Sequence, residues 1–429
     1  MTRDEILKKK DAYLFPCVTT YYKDPLVADR AKGYYLWDLE GRRYLDFFGG
    51  ILTVIVGHCH PTVTGRIQAQ AARLQHSSTV YATEAMVALA EKLAQITPGR
   101  IQKSFFTNSG TEANEAAIMV ARMATGNYDV IALRHAYSGH SQLAKSVTGM
   151  SSWRRGGVIC VGVSHALNPY CYRCPLRLTY PSCGVACAED VESTIQTATS
   201  GAIAAFIAEP IQGAGGFITP PKEYFKIVFT IVKKYGGLFI SDEVQTGFGR
   251  TGTKWFGIEH WEVEPDIITT AKGMANGSPV GGTLATPEVA DAYKGLTIST
   301  FGGNPITAVA ARATIEVIEE GKLLENAETV GSYFRQKLEE LQAKHPLIGD
   351  IRGLGLMQGL ELVKDPNTKE PAPQETNQFM ERCRANGLLI GKGGLWGNVI
   401  RLSPPLNIGK AQVDDAIERM DRSLTEMSA

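Results

Sequence analysis

The sequence predicts an α/β protein with one large domain, built on a mainly parallel sheet, and one smaller domain. Three observations support this prediction. Short apolar segments alternate with longer amphipathic ones through the middle of the chain, as in parallel strands joined by helices. The chain has 429 residues, which is more than a single hydrophobic core normally holds. Both ends of the chain depart from the alternating pattern and predict shorter, mixed elements.

The large domain is predicted from its strand and helix candidates. The strand candidates cover residues 130–133, 202–208, 237–241 and 266–269. Helices are predicted between them, over residues 112–123 and 222–234. Ligands of such sheets bind beyond the carboxyl ends of the strands. The residues that follow these strands are therefore the first candidates for a functional site.

The small domain is predicted from both ends of the chain. Residues 34–38 and 43–47 alternate in hydropathy and predict a small antiparallel unit. Residues 323–344 predict a charged amphipathic helix, followed by mixed short elements. We expect the small domain to contain residues 1–54 and 306–429, with the large domain at 55–305.

Composition and charge exclude several classes of function. Lys+Arg and Asp+Glu are 44 each, so no net charge attracts nucleic acid or an anionic membrane. No apolar run reaches the roughly 18 residues of a membrane span, and the charged first residues lack the apolar part of a secretion signal. Eight cysteines in such a chain should be mostly reduced. We expect a cytoplasmic protein without nucleic-acid or membrane partners.

A candidate anion site lies where an apolar strand leads into a helix. Ser109 and Glu112 have the spacing of a capping box, which leaves free backbone N–H groups at the helix start. Gly110 lets the backbone come close to a ligand, and a helix N-terminus attracts an anion such as phosphate. An ordinary capped helix is the alternative interpretation of these residues.

Two apolar strands end on ionisable residues. Asp242 follows residues 237–241, and because carboxylates are rarely buried without a partner, we expect it to face a cation. A protonated pyridine nitrogen is such a cation, and its proton makes pyridoxal 5′-phosphate an electron sink. Lys272 follows the strand at 266–269, where desolvation would give the lowered pKa of an imine-forming amine. A solvated strand end and a surface lysine are the alternatives.

Five ordered blocks of the sequence resemble those of the class III aminotransferases. They begin at Ser109, Ala208, Asp242, Ala271 and Thr300 and read SGTEANE, AEPIQG, DEVQTGFGR, AKG and TFGGNP. Their order and spacing match the family over nearly the whole chain. The resemblance implies the type I fold of pyridoxal 5′-phosphate enzymes, that cofactor, and transaminase activity.

The resemblance also implies roles for residues around the cofactor ring. Lys272 would form the Schiff base and carry the proton between the substrate carbon and the cofactor. Asp242 would pair with the pyridine nitrogen, and Gln245 would bond the ring hydroxyl. Val244 would pack on one face of the ring and Tyr137 would stack on the other.

Further residues would hold the phosphate and join two subunits. Ser109, Gly110 and Thr111 would bind the phosphate of their own subunit. Thr300 matches the residue that reaches the phosphate of the other subunit, which implies a homodimer with shared active sites. Glu209 would lie near the cofactor.

The substrate pocket is predicted from a single arginine and its surroundings. Arg401 resembles the arginine whose planar fork grips the substrate carboxylate. Relatives that use 2-oxoglutarate with ω-amino acids often carry a masking glutamate, where this chain has Ala214. An unmasked arginine implies a simple 2-oxo acid as acceptor. Ile51, where a decarboxylating relative carries glutamine, and Tyr81 are expected to shape the donor pocket.

We therefore predict a ping-pong aminotransferase, most like the alanine–glyoxylate branch of the family. The donor would be alanine, β-alanine or another ω-amine, and the acceptor glyoxylate or pyruvate. A 4-aminobutyrate–2-oxoglutarate type of aminotransferase and a phospho-lyase on the same scaffold stay open, since both use the same lysine and cofactor.

A cluster of cysteines outside these blocks is a candidate metal site. Cys171, Cys174, Cys183 and Cys187 lie close together in the sequence, and four thiolates can bind zinc tetrahedrally. The spacing is not that of a standard zinc finger, and four reduced thiols in a loop are the alternative. Zinc here would have a structural role.

Overall fold

The computed structural model describes residues 1–156 and 160–428. The helices are α1 (Arg3–Tyr13), α2 (Pro61–Arg73), α3 (Glu84–Ile96), α4 (Gly110–Thr125), α5 (Gln142–Val147), α6 (Ala186–Ala198), α7 (Tyr224–Lys234), α8 (Pro287–Ala290), α9 (Pro305–Glu320), α10 (Leu323–Lys344), α11 (Pro373–Ala385) and α12 (Lys410–Ser428). Short 3₁₀ turns occur at Ser151–Trp153, Cys171–Arg173, Gly257–Trp261 and Lys272–Ala275.

The strands form three sheets. They are β1 (Ala28–Lys32), β2 (Tyr35–Asp38), β3 (Arg43–Asp46), β4 (Lys103–Thr107), β5 (Asp129–Leu133), β6 (Val163–Ala166), β7 (Ile203–Ala208), β8 (Leu238–Asp242), β9 (Ile267–Thr270), β10 (Gly281–Ala285), β11 (Ile348–Leu354), β12 (Met357–Leu362), β13 (Leu388–Leu389), β14 (Gly391–Gly393) and β15 (Val399–Leu402).

The largest sheet confirms the predicted α/β class. Its seven strands follow the order β4-β10-β9-β8-β7-β5-β6, and the pairs among β5 to β9 are parallel. All four strand candidates are present, each shifted by at most one residue at either end. Strand β10 is antiparallel to both of its neighbours and was not predicted, since its two glycines weaken the strand pattern.

Two smaller sheets contain the ends of the chain. In one of them, strands β1, β2 and β3 from the N-terminal part pair with β13 from the C-terminal part. The other contains β11, β12, β15 and β14, all antiparallel. The pairing of N-terminal with C-terminal strands supports a small domain built from both ends of the chain. The domain bounds at residues 54 and 305 stay a prediction.

The core lies between the large sheet and its helices. Every side chain of β7 is buried, as expected for a parallel strand covered by helices on both faces. Helix α4 packs across β7, β9 and β10 and begins beside the carboxyl ends of the parallel strands. Among the described residues, no helix combines the length and the apolar character that crossing a membrane requires.

A buried ion network joins the C-terminal sheet to the large domain. The Arg352 guanidinium donates to Glu361 at 2.7 Å and to Asp350 at 2.6 Å. It also donates to the Tyr170 hydroxyl at 3.1 Å and to the Gly216 carbonyl at 2.8 Å. Arg352 and Glu361 are both buried. The network therefore fixes the turn at Gly216 relative to strands β11 and β12.

We expect Arg352→Ala to lower the free energy of unfolding by about 3–5 kcal/mol, because it leaves the buried Glu361 with fewer compensating partners. Urea unfolding followed by tryptophan fluorescence measures this change. Arg312→Ala is the control, since it removes a half-exposed pair with Glu316 four residues on, worth about 0.3–0.5 kcal/mol. Equal effects of the two substitutions would contradict a stabilising role for the network.

Candidate active site

A cavity of about 460 Å³ opens at the carboxyl ends of the parallel strands. It brings together every residue predicted to contact a cofactor, apart from Ser109 and Thr300. The lining residues are Gly110, Thr111, Asn114, Tyr137, Ser138, Gly139, Glu209, Asp242, Val244, Gln245 and Lys272. Segments more than a hundred residues apart in sequence thus meet in one site.

The start of helix α4 forms one wall of the cavity. Ser109 is the N-cap, and its hydroxyl accepts a hydrogen bond from the Glu112 N–H at 3.2 Å. The second half of the predicted capping box is wrong, because the Glu112 carboxylate accepts from the backbone and side-chain N–H groups of Asn108, at 2.8 and 3.0 Å. Asn108 offers that carboxylate two donors, whereas the Ser109 N–H would offer one.

Glycine at position 110 is required by close packing. A Cβ atom there would lie 3.0 Å from a methyl group of Val244. The helix start can therefore approach the segment after β8, and its free N–H groups border the cavity. Such a helix start suits a phosphate group.

Asp242 is the last residue of β8, and its carboxylate is buried. One carboxylate oxygen accepts from the Asn114 amide at 2.8 Å, and the other from the Val244 N–H at 3.2 Å. Burial raises the pKa of Asp242, while these two bonds and the nearby Lys272 oppose that rise. A solvated strand end is thereby excluded, and the carboxylate keeps lone pairs for a cationic ligand.

Lys272 lies directly after β9, where it begins a short 3₁₀ turn. Its backbone has φ of +43°, a left-handed conformation that is strained for a residue with a side chain. Burial lowers the pKa of the Lys272 ammonium. The carboxylates of Asp242 and Glu209 oppose this effect, but burial is the larger cause. The lysine faces the cavity and has the environment of an amine nucleophile, not that of a surface lysine.

Glu209 follows β7 and is buried behind the cavity. Its two oxygens accept from the backbone N–H groups of Tyr137, at 3.1 Å, and Gly213, at 2.8 Å. Burial and the neighbouring Asp242 raise the pKa of Glu209. The side chain thus connects the segment that carries Tyr137 to the turn that begins at Gly213.

Arg401 lies on β15 and is buried next to Gln245 of the cavity wall. Its guanidinium donates to the Lys392 carbonyl at 3.1 Å and to the Gln245 side-chain oxygen at 3.5 Å. The rings of Phe48 and Phe217 lie 5.1 and 5.7 Å from it. Within residues 1–156 and 160–428, no carboxylate forms an ion pair with Arg401.

Ala214 lies beside this arginine. Its carbonyl accepts from the Gly394 N–H at 2.9 Å, one residue after β14, the strand that pairs with β15. A Cβ atom on Gly393 would be 2.9 Å from Arg401 Cδ and 3.0 Å from the Ala214 carbonyl oxygen. The backbone at position 214 therefore lies near the Arg401 side chain.

Three predicted site residues are exposed and are not among those that line the cavity. Thr300 is exposed, and Tyr81 and Ile51 are 70% and 45% exposed. Ile51 belongs to a left-handed turn, Gly49–Leu52, in which all four residues have positive φ. Two hydrogen bonds to the Asp46 carboxylate, from Phe48 N–H and Gly49 N–H, hold the start of this turn.

The structure adds a residue that the sequence reasoning missed. Asn114 lines the cavity and bonds Asp242. The sequence did contain a clue to Asn114. Residues i and i+4 share one face of a helix, and Gly110, four residues before Asn114, was predicted to lie at the cofactor site.

The four clustered cysteines line a second cavity, which shares no lining residue with the first. Among the described residues, no group of three or more His, Cys, Asp or Glu side chains could hold a metal ion. The predicted zinc site is thus unsupported, and four reduced thiols are the better interpretation.

Comparison with known proteins identifies one family. A family model described as aminotransferase class-III matches residues 19–424. The chain is 46% identical over 425 residues to alanine–glyoxylate aminotransferase 2 homolog 2, mitochondrial, of Arabidopsis thaliana, covering 99% of this chain and 88% of that protein. It is 39% identical to the human mitochondrial alanine–glyoxylate aminotransferase 2, covering 99% and 86%. A Bacillus anthracis aminotransferase structure superposes with a TM-score of 0.93 at 33% identity, covering 99% and 100%.

We expect Gly139→Ala to weaken the binding of pyridoxal phosphate at least tenfold, or about 1.4 kcal/mol. Gly139 has φ of +136°, and a Cβ atom there would lie 2.4 Å from the Thr111 hydroxyl, which borders the helix start. Fluorescence titration of the apoprotein measures the affinity. Gly126→Ala is the control, because Gly126 has φ of +71° at the other end of α4 with nothing within 4 Å of an added Cβ. Similar affinities of the two variants would contradict the phosphate assignment.

Proposed function

Because this chain belongs to the class-III aminotransferases, we propose that it transfers the amino group of alanine, or of another amino acid or amine, to glyoxylate or pyruvate. The reaction is of the ping-pong type, with pyridoxal phosphate as cofactor. One observation carries the proposal: Lys272 and Asp242 meet in one cavity, and Arg401 lies behind Gln245 of its wall. In the part of the chain that the structure describes, Arg401 forms no ion pair with a carboxylate.

The groups that line the cavity fit pyridoxal phosphate. The start of α4 at Gly110 and Thr111 suits the phosphate dianion, the buried Asp242 suits a protonated ring nitrogen, and the desolvated Lys272 suits an aldehyde carbon. When bound, this cofactor stabilises the negative charge that develops on the substrate carbon. Lys272 binds it and then moves the substrate proton, while Val244 and Tyr137 confine the ring.

The acceptor is proposed from Arg401 and Ala214. A guanidinium without a carboxylate partner can take the carboxylate of a 2-oxo acid in its planar fork. At position 214 the methyl group carries no charge that would compete. Both features support a small 2-oxo acid as acceptor. They disfavour the alternative activity, in which 4-aminobutyrate is the donor and 2-oxoglutarate the acceptor.

The assembly and the compartment are further parts of the proposal. A homodimer is supported by Thr300, which is exposed and lies between exposed apolar side chains. These are Leu296, Ile298 and Phe301, each more than half exposed, and such patches mark protein interfaces. Thr300 would then reach the phosphate bound by the partner subunit. The cytoplasm is supported by eight free cysteines, whereas the plant and human relatives are named as mitochondrial.

We expect the protein with bound pyridoxal phosphate to show the absorption band of a lysine-bound cofactor. L-alanine alone should convert this band to that of pyridoxamine phosphate, and glyoxylate or pyruvate should restore it. Lys272→Ala should bind the cofactor without the lysine band. A band that alanine and other amines leave unchanged would favour elimination of phosphate from phospho-amines, and wild-type protein without any band would refute the proposal.

We expect Ala214→Glu to raise the KM for glyoxylate and for pyruvate at least tenfold, because the new carboxylate can pair with Arg401. Steady-state kinetics measure this change. Ala214→Gln is the control, since it adds the same bulk without the charge and should raise KM much less. An amine donor that lacks a carboxylate should keep its rate in Ala214→Glu. If the two variants behave alike, steric bulk and not Arg401 explains the effect.

A further inference from the structure

We propose that Asn114 is a positioning residue that keeps the Asp242 carboxylate ionised and oriented toward the ring nitrogen of the cofactor. The inference rests on the proposed pyridoxal phosphate site. Asn114 does not reach the substrate or the reacting atoms. It acts through Asp242, as the following contacts indicate.

The Asn114 amide makes three hydrogen bonds inside the protein, and these use both of its N–H donors. Its NH₂ group donates to Asp242 Oδ2 at 2.8 Å and to the Ser138 carbonyl at 3.0 Å. Its oxygen accepts from the Thr269 hydroxyl at 2.7 Å. The carboxylate and the carbonyl can only accept, so the orientation of the amide is fixed. Asn114 is 1% exposed, so these three bonds are made away from bulk water.

These contacts join the parts of the site that surround the cofactor ring. Thr269 pairs with Asp242 across strands β8 and β9 and lies three residues before Lys272. Ser138 follows Tyr137, which is expected to stack on the ring. A single side chain on α4 thus ties the ring-nitrogen partner to the segments that carry the lysine and the stacking tyrosine.

The chemical type of the donor is important. Burial favours the protonated form of Asp242, and a hydrogen bond to the ionised form opposes this. A lysine or arginine at position 114 would also keep the carboxylate ionised, but it would neutralise the charge that the ring nitrogen needs. A neutral amide holds the carboxylate ionised and leaves its full negative charge for the ring nitrogen.

The experiment separates this role from a general loss of packing. Asn114→Ala and Asn114→Leu both remove the donors, and the leucine nearly keeps the volume. Thr283→Val is the matched control, because it removes a buried bond of 2.8 Å from the Thr283 hydroxyl to the Ala113 carbonyl on the same helix without touching Asp242.

Two measurements decide the outcome. The first is the ¹⁵N chemical shift of the ring nitrogen in bound, ¹⁵N-labelled pyridoxal phosphate. We expect a protonated nitrogen in wild type and Thr283→Val and a largely unprotonated one in both Asn114 variants. The second is the affinity for pyridoxal phosphate and for its analogue with carbon in place of the ring nitrogen. We expect a loss of about tenfold or more for the cofactor, and about twofold or less for the analogue.

The opposite results would overturn the inference. A ring nitrogen that stays protonated in both Asn114 variants, or equal losses for the cofactor and its analogue, would make Asn114 a packing residue only. If one variant fails to fold, the other decides. Wild-type protein that does not bind pyridoxal phosphate would instead refute the proposed function itself, so the two failures are distinguishable.

Discussion

A carboxylate buried at the end of a parallel strand is the constraint on which the site depends. Burying an ionised carboxylate costs several kcal/mol unless hydrogen bonds and opposite charge compensate for it. Asp242 receives two hydrogen bonds from neutral donors, and the cation near it is Lys272, whose own pKa is lowered by burial. The protein alone therefore leaves negative charge in the cavity incompletely balanced. The proposed ligand, with its positive ring nitrogen, would complete the balance.

The topology of the sheet explains why these groups meet. Strands β7, β8 and β9 are parallel neighbours, so the residues at their carboxyl ends, Glu209, Asp242 and Lys272, lie along one edge. Helix α4 begins at the same edge and brings a positive helix terminus and the Asn114 amide to it. The proposed binding of the phosphate and of the ring therefore both depend on one packing arrangement, that of α4 against the sheet.

Much of this arrangement could be predicted from the sequence, and the parts that could not be predicted have physical causes. Residues that follow apolar strands could be assigned to one edge, because parallel strands share their carboxyl ends. The hydrogen-bond partner of Asp242 could not be predicted, because Asn114 is 128 residues away in sequence. An asparagine in a helix is also usually exposed. Strand β10 was missed because its hydropathy pattern is weak. The cysteine spacing suggested zinc, but spacing alone does not determine how the thiols are arranged in space.

In the proposed function, the choice of acceptor depends on backbone rigidity as well as on one side chain. Glu209 accepts from the Gly213 N–H, and Arg352 donates to the Gly216 carbonyl, so both ends of this turn are held by buried ionisable groups. Ala214 lies between them, beside Arg401. The backbone at position 214 is therefore restrained on both sides. In the proposed function, a single substitution there would change which carboxylates the arginine accepts and would leave the residues proposed to hold the cofactor unchanged.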